Sequence, residues 1–298
     1  MAQAEGSVTH SSTETILSES YTDLVSKLPT REGWSQPLVL YRNYCPKCGT
    51  TWLKALAFAI TNRSRYDFDG HHPLLLRHPQ EVVPFIESSW NRDLDFETLS
   101  SPRILAAHMP VSLLPESILA CGCRLVYMCR DPKDVFVSWW HFDNRIRRGK
   151  EIDLEDAFNM FCEGVSSFGP LWDHCLEYWR ESTKRPEKVL FLKYEEIMSE
   201  PVKYVRRLAV FLGVPFTIKE EEGMIPEKVV RLCSFEKLSS LQANQMGHIS
   251  LRENMVLEKS AYFRKGKVGD WVNHINQEMG RKLDYIVAEK LKGSGLVL

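Results

Sequence analysis

The residues best suited to chemistry fall into three short clusters. The first is Cys45-Pro46-Lys47-Cys48-Gly49-Thr50-Thr51-Trp52, a loop that runs straight into a helix pattern. A glycine, two hydroxyl residues and a lysine at a helix start place backbone N–H donors, hydroxyls and a cation around one point. An anionic oxygen cluster needs that set. Lys47 precedes the glycine, the reverse of the order in nucleoside triphosphatase loops, which argues against that activity. A plain Thr-capped helix after a turn would show the same fragment. The second cluster is His108, Arg130 and Tyr194, each standing just beyond an apolar run. Polar residues past the carboxyl ends of three parallel strands would share the rim where such sheets bind ligands, although any one of them could be a solvated strand end. The third is Tyr262-Phe263-Arg264-Lys265-Gly266-Lys267-Val268-Gly269-Asp270-Trp271. Its cations and glycines can offer side-chain forks and backbone donors to a phosphate, or form an exposed basic turn.

The elements that must position these clusters are legible in the apolar pattern. Arg103–Ala107, Arg124–Cys129 and Lys188–Leu192 are short, nearly continuous apolar runs, the pattern of strands buried on both faces of a parallel sheet. Asp131-Pro132 supplies an N-cap and a first-turn proline, and the helix behind it carries Val135, Phe136, Trp139 and Trp140. Further helices are predicted at 153–163, 168–182, 200–212, 217–231 and 276–291, and an amphipathic one from Thr13 to Leu28 that Pro29 ends. The polar stretch 1–12 reads as a disordered tail. Strand and helix alternate without a repeat or long linker, so the expectation is one α/β domain over 13–298, a parallel sheet with helices on both faces.

Composition excludes the extremes. The chain has 298 residues, 38 Lys+Arg against 39 Asp+Glu, and 44% hydrophobic residues, enough for a full core. A broadly basic nucleic-acid binder is excluded by that balance. No apolar run is long enough to span a membrane, and the N-terminus has neither a basic nor an apolar leader region, so the expected location is the cytoplasm. Eight cysteines in such a chain read as thiols, most of them small core residues. His71-His72 reads as a surface loop, and His141 and His174 as packed helix residues.

Taken together, Pro46-Lys47-Cys48-Gly49-Thr50-Thr51-Trp52-Leu53, the Ala107-His108-Met109-Pro110 context, Arg130-Asp131-Pro132-Lys133-Asp134 with Ser138 beyond it, Phe191-Leu192-Lys193-Tyr194-Glu195 and Arg264-Lys265-Gly266 leading to Gly269-Asp270-Trp271 resemble, in order, the cytosolic sulfotransferases. Tracts such as Leu232-Cys233-Ser234-Phe235-Glu236 are similar to the plant branch. The resemblance implies a P-loop-like sulfotransferase fold and transfer of a sulfuryl group from 3′-phosphoadenosine 5′-phosphosulfate (PAPS) to a hydroxyl of a small phenolic, steroid or hydroxy-acid acceptor. It implies no metal, no nucleic acid and no membrane, and a monomer or homodimer. Position by position, Lys47, Cys48, Gly49, Thr50, Thr51 and Trp52 would hold the phosphosulfate and the adenine side. Arg130, Ser138, Arg264, Lys265 and Gly266 would grip the 3′-phosphate, Tyr194 would reach the adenine, Lys47 would meet the bridging oxygen, and His108 would be the general base.

Two departures stand out. Cys48 replaces the family's hydroxyl residue, leaving only a backbone N–H at that place. The family also has a helix and a buried strand before the loop, whereas here Tyr41-Arg42-Asn43-Tyr44 runs directly into Cys45. Either Pro37–Tyr41 serves as the missing strand, or the sheet loses a member and the loop is poorly held, giving a catalytically impaired relative that only binds nucleotide. From other classes come a Cys45-Pro46-Lys47-Cys48 redox site and a metal site of Cys45, Cys48, Cys121 and Cys123. Trp90, Phe85, Phe142, Met109 and Phe263 could line an acceptor pocket or belong to the core.

Overall fold

Four short strands, β1 (Val39–Arg42), β2 (Ile104–Ala107), β3 (Arg124–Cys129) and β4 (Val189–Lys193), form a parallel sheet in the order β2-β1-β3-β4. The structure, a computed structural model, describes residues 39–42, 47–86, 101–114, 118, 120, 122–147, 149–165, 170–252 and 255–298. The expected tail 1–12, the expected helix Thr13–Leu28, Cys45, Pro46, Trp90 and Cys121 lie outside those residues.

β2, β3 and β4 are apolar over most of their length because each is covered twice. Successive side chains of a strand point to opposite faces. Leu105, Leu125, Tyr127 and Phe191 pack on one side with Phe136, Phe158, Trp172, Tyr178 and Leu283. Ile104, Val126, Met128, Leu190 and Leu192 pack on the other with Leu53, Leu56, Ile60, Leu208 and Val229. The first layer is built by α4 (Pro132–Arg147), α5 (Leu154–Cys162), α6 (Leu171–Lys184) and α13 (Gln277–Leu291). The second is built by α1 (Thr50–Asn62), α8 (Pro201–Phe211) and α10 (Ile225–Leu232). Helices on both faces of a parallel sheet are therefore the observed architecture.

β1 settles which of the two expectations for the N-terminal run holds. Val39–Arg42 pairs in parallel with β2 on one side and β3 on the other, Arg42 standing opposite both Ala107 and Tyr127. The run takes the central place from which the loop departs, and only four residues separate Arg42 from Lys47. The chain leaves β1 for β2 on one side and then crosses back to β3 on the other. A parallel sheet opens a crevice at the carboxyl end of the strand where the order reverses in this way.

Three expectations need correction. The helix predicted over 217–231 is two, α9 (Ile218–Glu222) and α10, because Met224 takes a left-handed φ of 53° and Pro226 belongs to the first turn of the second helix. An antiparallel hairpin, β5 (His248–Arg252) and β6 (Met255–Glu258), stands where no strand was expected. His72 is not on the surface: it is fully buried, its Nδ1 accepts from the Leu74 N–H at 3.2 Å to start α2 (Pro73–Leu76), and burial lowers its pKa to about 4. A neutral imidazole is what that cap requires.

Candidate active site

The loop after β1 owes its shape to two residues with left-handed backbone, Lys47 at φ 91° and Gly49 at φ 98°. The Lys47 conformation is uncommon for a residue with a side chain and tends to persist only where neighbours fix it. Here Arg130 Nη1 donates to the Lys47 carbonyl at 3.3 Å. Gly49 precedes α1, whose ladder begins with the Leu53 N–H donating to the Gly49 carbonyl at 2.9 Å. A Cβ on Gly49 would lie 2.6 Å from Met128 Cε and 2.9 Å from Tyr194 Cδ2. Gly49→Ala should therefore lower the thermal midpoint by several degrees, for a cost of about 2 kcal/mol from backbone strain and overpacking. An unchanged midpoint would show that the loop is not held against β3 and Tyr194.

Cys48 turns away from the cleft. Its side chain is fully buried in the core layer that holds Tyr127, Cys129 and Cys175, so only its backbone can serve the loop. Burial, chiefly, pushes the Cys129 and Cys175 thiols of this layer upward.

The strand ends bring the second cluster to one rim. His108 follows β2 and stacks on Phe85, ring centroids 4.3 Å apart with 23° between planes. Arg130 follows β3, and its guanidinium lies 4.6 Å over the ring of Tyr194, which follows β4 and opens α7 (Tyr194–Ser199). Trp52 meets the same ring edge-on at 5.5 Å. Burial raises the Tyr194 phenol against the pull of Arg130, so the hydroxyl stays a donor at neutral pH.

The third cluster is fastened to α4 by a residue that the sequence pattern gives no site role. The fully buried Asp134 accepts from Arg130 Nη2 at 3.1 Å and from the backbone N–H groups of Gly269 and Trp271 at 2.8 and 3.0 Å. Arg130 Nη2 also donates to the Lys267 carbonyl at 2.7 Å. Arg264 is held by Asp270, 2.6 Å from Nη1. Burial favours the neutral acid at Asp270, but its bonds from Arg264 and Asn273 prevail and bring its pKa to about 2. A basic segment that would otherwise be an exposed turn thus has a fixed position.

The convergence of cations marks Lys47. Its Nζ stands 4.1 Å over the Phe142 ring. Burial first, then the charges of Arg264, Arg130 and Arg145, lower its pKa from 10.5 to about 7. Two further donors have no partner among the described residues, the buried Nε of Arg130 and of Arg264. A site with excess cations and unmet N–H groups calls for an anion.

All of this meets in one cleft of about 650 Å³. Lys47, Gly49, Thr50, Thr51, Trp52, His108, Arg130, Ser138, Tyr194, Arg264, Lys265 and Gly266 line it, so that of the candidate site residues Cys48 alone does not. Phe85, Phe142 and Phe263 line it as well, while Met109 is buried and Trp90 lies outside the described residues. Gln80 and Ile249 join them without any signal in the sequence, because the short helix Pro79–Val82 and the β5–β6 hairpin bring them in, and Ile146 of α4 and Tyr262 of the third cluster line the cleft as well.

Residues 45–295 match the sulfotransferase domain family. The chain belongs to that family. The sulfotransferase is 42% identical over 317 aligned positions to cytosolic sulfotransferase 17 of Arabidopsis thaliana, covering 93% of this chain and 90% of that one. The alignment is longer than the 298 residues of the sulfotransferase, so this relative carries residues with no counterpart here. It is 45% identical over 255 residues to a flavonol 4′-sulfotransferase of Flaveria chlorifolia, covering 85% and 79% of the two chains. A crystal structure of an Arabidopsis thaliana sulphotransferase superposes with a TM-score of 0.69 at 34% identity, over 95% of this chain and 85% of the other. The sulfotransferase is thus of the plant cytosolic type, an enzyme of sulfuryl transfer, and among its described residues no helix is long and apolar enough to cross a membrane.

Proposed function

We propose that this sulfotransferase moves a sulfuryl group from PAPS to the hydroxyl of a small acceptor of the phenolic, steroid or hydroxy-acid class, in the cytoplasm. The observation that carries the proposal is the meeting of Lys47, His108 and the Arg130–Arg264 cluster in one cleft whose volume suits a nucleotide and a small acceptor together. The donor fits the residues present. Gly49 has no room for a side chain, which lets the backbone approach an anion, and the orphaned Nε atoms of Arg130 and Arg264 await acceptors.

PAPS would supply a sulfuryl group on a good leaving group, and the protein would supply placement and charge. Arg130, Ser138, Arg264, Lys265 and Gly266 would hold the 3′-phosphate, and the start of α1 would hold the phosphosulfate. His108 would take the acceptor proton as the acceptor oxygen bonds to sulfur. The bond from sulfur to the bridging oxygen breaks in the same step, and Lys47 would meet the negative charge that grows there. The proton then passes from His108 to solvent. The central place of β1 supports a properly held loop over an impaired relative, and the buried side chain of Cys48 speaks against a redox site.

Lys47 provides a test of donor binding that does not need turnover. In the free protein its pKa is about 7, and an anion beside Nζ must raise it toward the ordinary 10.5. Between those two values the complex holds more protons than the free protein. Binding of the desulfated product, 3′-phosphoadenosine 5′-phosphate (PAP), should take up close to one proton at pH 8, and affinity should fall as pH rises above 7. Calorimetry in two buffers of different ionisation enthalpy measures the uptake. A value near zero would mean that Lys47 does not face the bound phosphate.

A further inference from the structure

Lys54 lies one helical turn beyond the loop, on α1, and is completely buried. A lysine with no exposed surface is rare and has to be matched by its surroundings. Its Nζ donates to Gln80 Oε1 and, at 2.9 Å, to the Val83 carbonyl, and stands 3.2 Å from the centroid of the Phe85 ring. That last contact is a cation–π placement in a desolvated site, where such contacts are strongest.

Two arms leave this point. Along one, Gln80 Nε2 donates to Thr51 Oγ1 at 3.3 Å, which fixes a hydroxyl at the start of α1 in the donor loop. Gln80 itself is held at α3 (Pro79–Val82), where its N–H donates to His78 Nδ1 at 3.1 Å. Along the other, the ring of Phe85 carries Lys54 Nζ over its face and the stacked imidazole of His108 at 4.3 Å. The backbone there is tied to the sheet: the Ala106 N–H donates to the Pro84 carbonyl at 2.9 Å, and the Ile86 N–H to the Ala106 carbonyl at 2.8 Å.

From this geometry we infer that Lys54 is a positioning residue that couples the donor loop to the base, setting Thr51 through Gln80 and His108 through Phe85. The inference rests on the roles proposed above for Thr51 and His108. A lysine is suited to the task because one amino group donates to the Gln80 side chain and the Val83 carbonyl while its charge faces the ring. An apolar side chain of equal length fills the space and does neither. By holding the Gln80 carbonyl oxygen, Lys54 also dictates which end of that amide faces Thr51.

The test separates the arms. Gln80→Leu should weaken PAP about three- to tenfold and leave the single-turnover rate, at saturating PAPS with a phenolic acceptor, within about twofold. Phe85→Leu should lower that rate about tenfold or more and leave PAP affinity within about twofold. Lys54→Met should do both, and adding Gln80→Leu to it should cause no further loss of PAP affinity, since the amide is already released. A residue that only supports the fold would lower the thermal midpoint without this split between binding and rate.

The histidine signal reads the base arm without activity. The Hε1 resonance of His108, displaced by the stacked ring in the wild type, should move toward the free-imidazole position in both Phe85→Leu and Lys54→Met. If folded Lys54→Met keeps PAP affinity, rate and the His108 signal within twofold or unmoved, the inference is overturned. It is equally overturned, whether or not Lys54→Met folds, if Gln80→Leu leaves PAP affinity intact and Phe85→Leu leaves the His108 signal in place. A wild type that neither binds PAP nor transfers would sink the sulfuryl-transfer reading, while the His108 signal would still report on Lys54.

Discussion

Lys47→Met is expected to slow transfer severely while making the ligand-free protein more stable. The two effects share one cause. Lys47 is held among Arg264, Arg130 and Arg145 in a half-buried loop, so its ammonium is disfavoured there, and burial first, then those charges, lower its pKa from 10.5 to about 7. Between those values the unfolded chain binds more protons than the folded one, so wild-type stability rises with pH across that window. Below about pH 7 the penalty is present in full. Methionine removes it, and the gain should be greatest at or below neutral pH and fade as pH approaches 10.5. The site opens on a cleft that admits solvent, so a discounted gain on the order of 2 kcal/mol is appropriate, which corresponds to about 4 °C in thermal midpoint. The same change removes the charge that would meet the leaving oxygen, for an expected rate loss of about 10²–10³. Thermal denaturation at pH 6.5 and 9.5, paired with rate measurements, checks both. A variant that is less stable at every pH would mean that the cation is satisfied in the empty site.

His108→Ala should lower the transfer rate by about 10²–10⁴ and leave PAP affinity unchanged. The separation follows from the sheet. His108 follows β2 at one edge, while Arg130 and Tyr194 follow β3 and β4 on the far side of β1. Removing the imidazole should leave the phosphate contacts of the other strand ends alone, and it also unstacks Phe85. Single-turnover rates and PAP calorimetry on the same preparation read the two quantities independently. Transfer that survives in His108→Ala would remove the base assignment, and a parallel loss of PAP affinity would place His108 in donor binding instead.

The strand ends were the most legible part of the site. Arg124–Cys129 is a strand over the very residues read from its apolar run, and Arg130 follows it because a two-sided strand must end where a charged residue becomes affordable. The helix start at Pro132 was equally plain, since a proline directly after a capping Asp131 has few other uses. What could not be read came from tertiary assembly. Nothing in Val39–Arg42 says that it lies at the centre of the sheet and not at an edge, because pairing on both sides is decided by β2 and β3. The split at Met224 comes from its left-handed backbone, which the residue type does not announce. Asp134 ends the Arg130-to-Asp134 motif with no role legible there, Lys54 and Gln80 stand outside the motifs, and the importance of the three lies in what they touch across 135, 29 and 29 residues of sequence. His72 looked like a loop residue because capping from a buried imidazole leaves no trace in composition. Cys48 shows the reverse: its neighbours are site residues, yet its side chain belongs to the core.

Incubation of the purified protein with PAPS carrying a labelled sulfuryl group, against phenols, steroids and hydroxy acids, tests the central claim most directly. Label on at least one hydroxyl acceptor, with equimolar PAP released, is the predicted result. The account would be contradicted by a protein that passes label to none of these acceptors and is not stabilised by PAP.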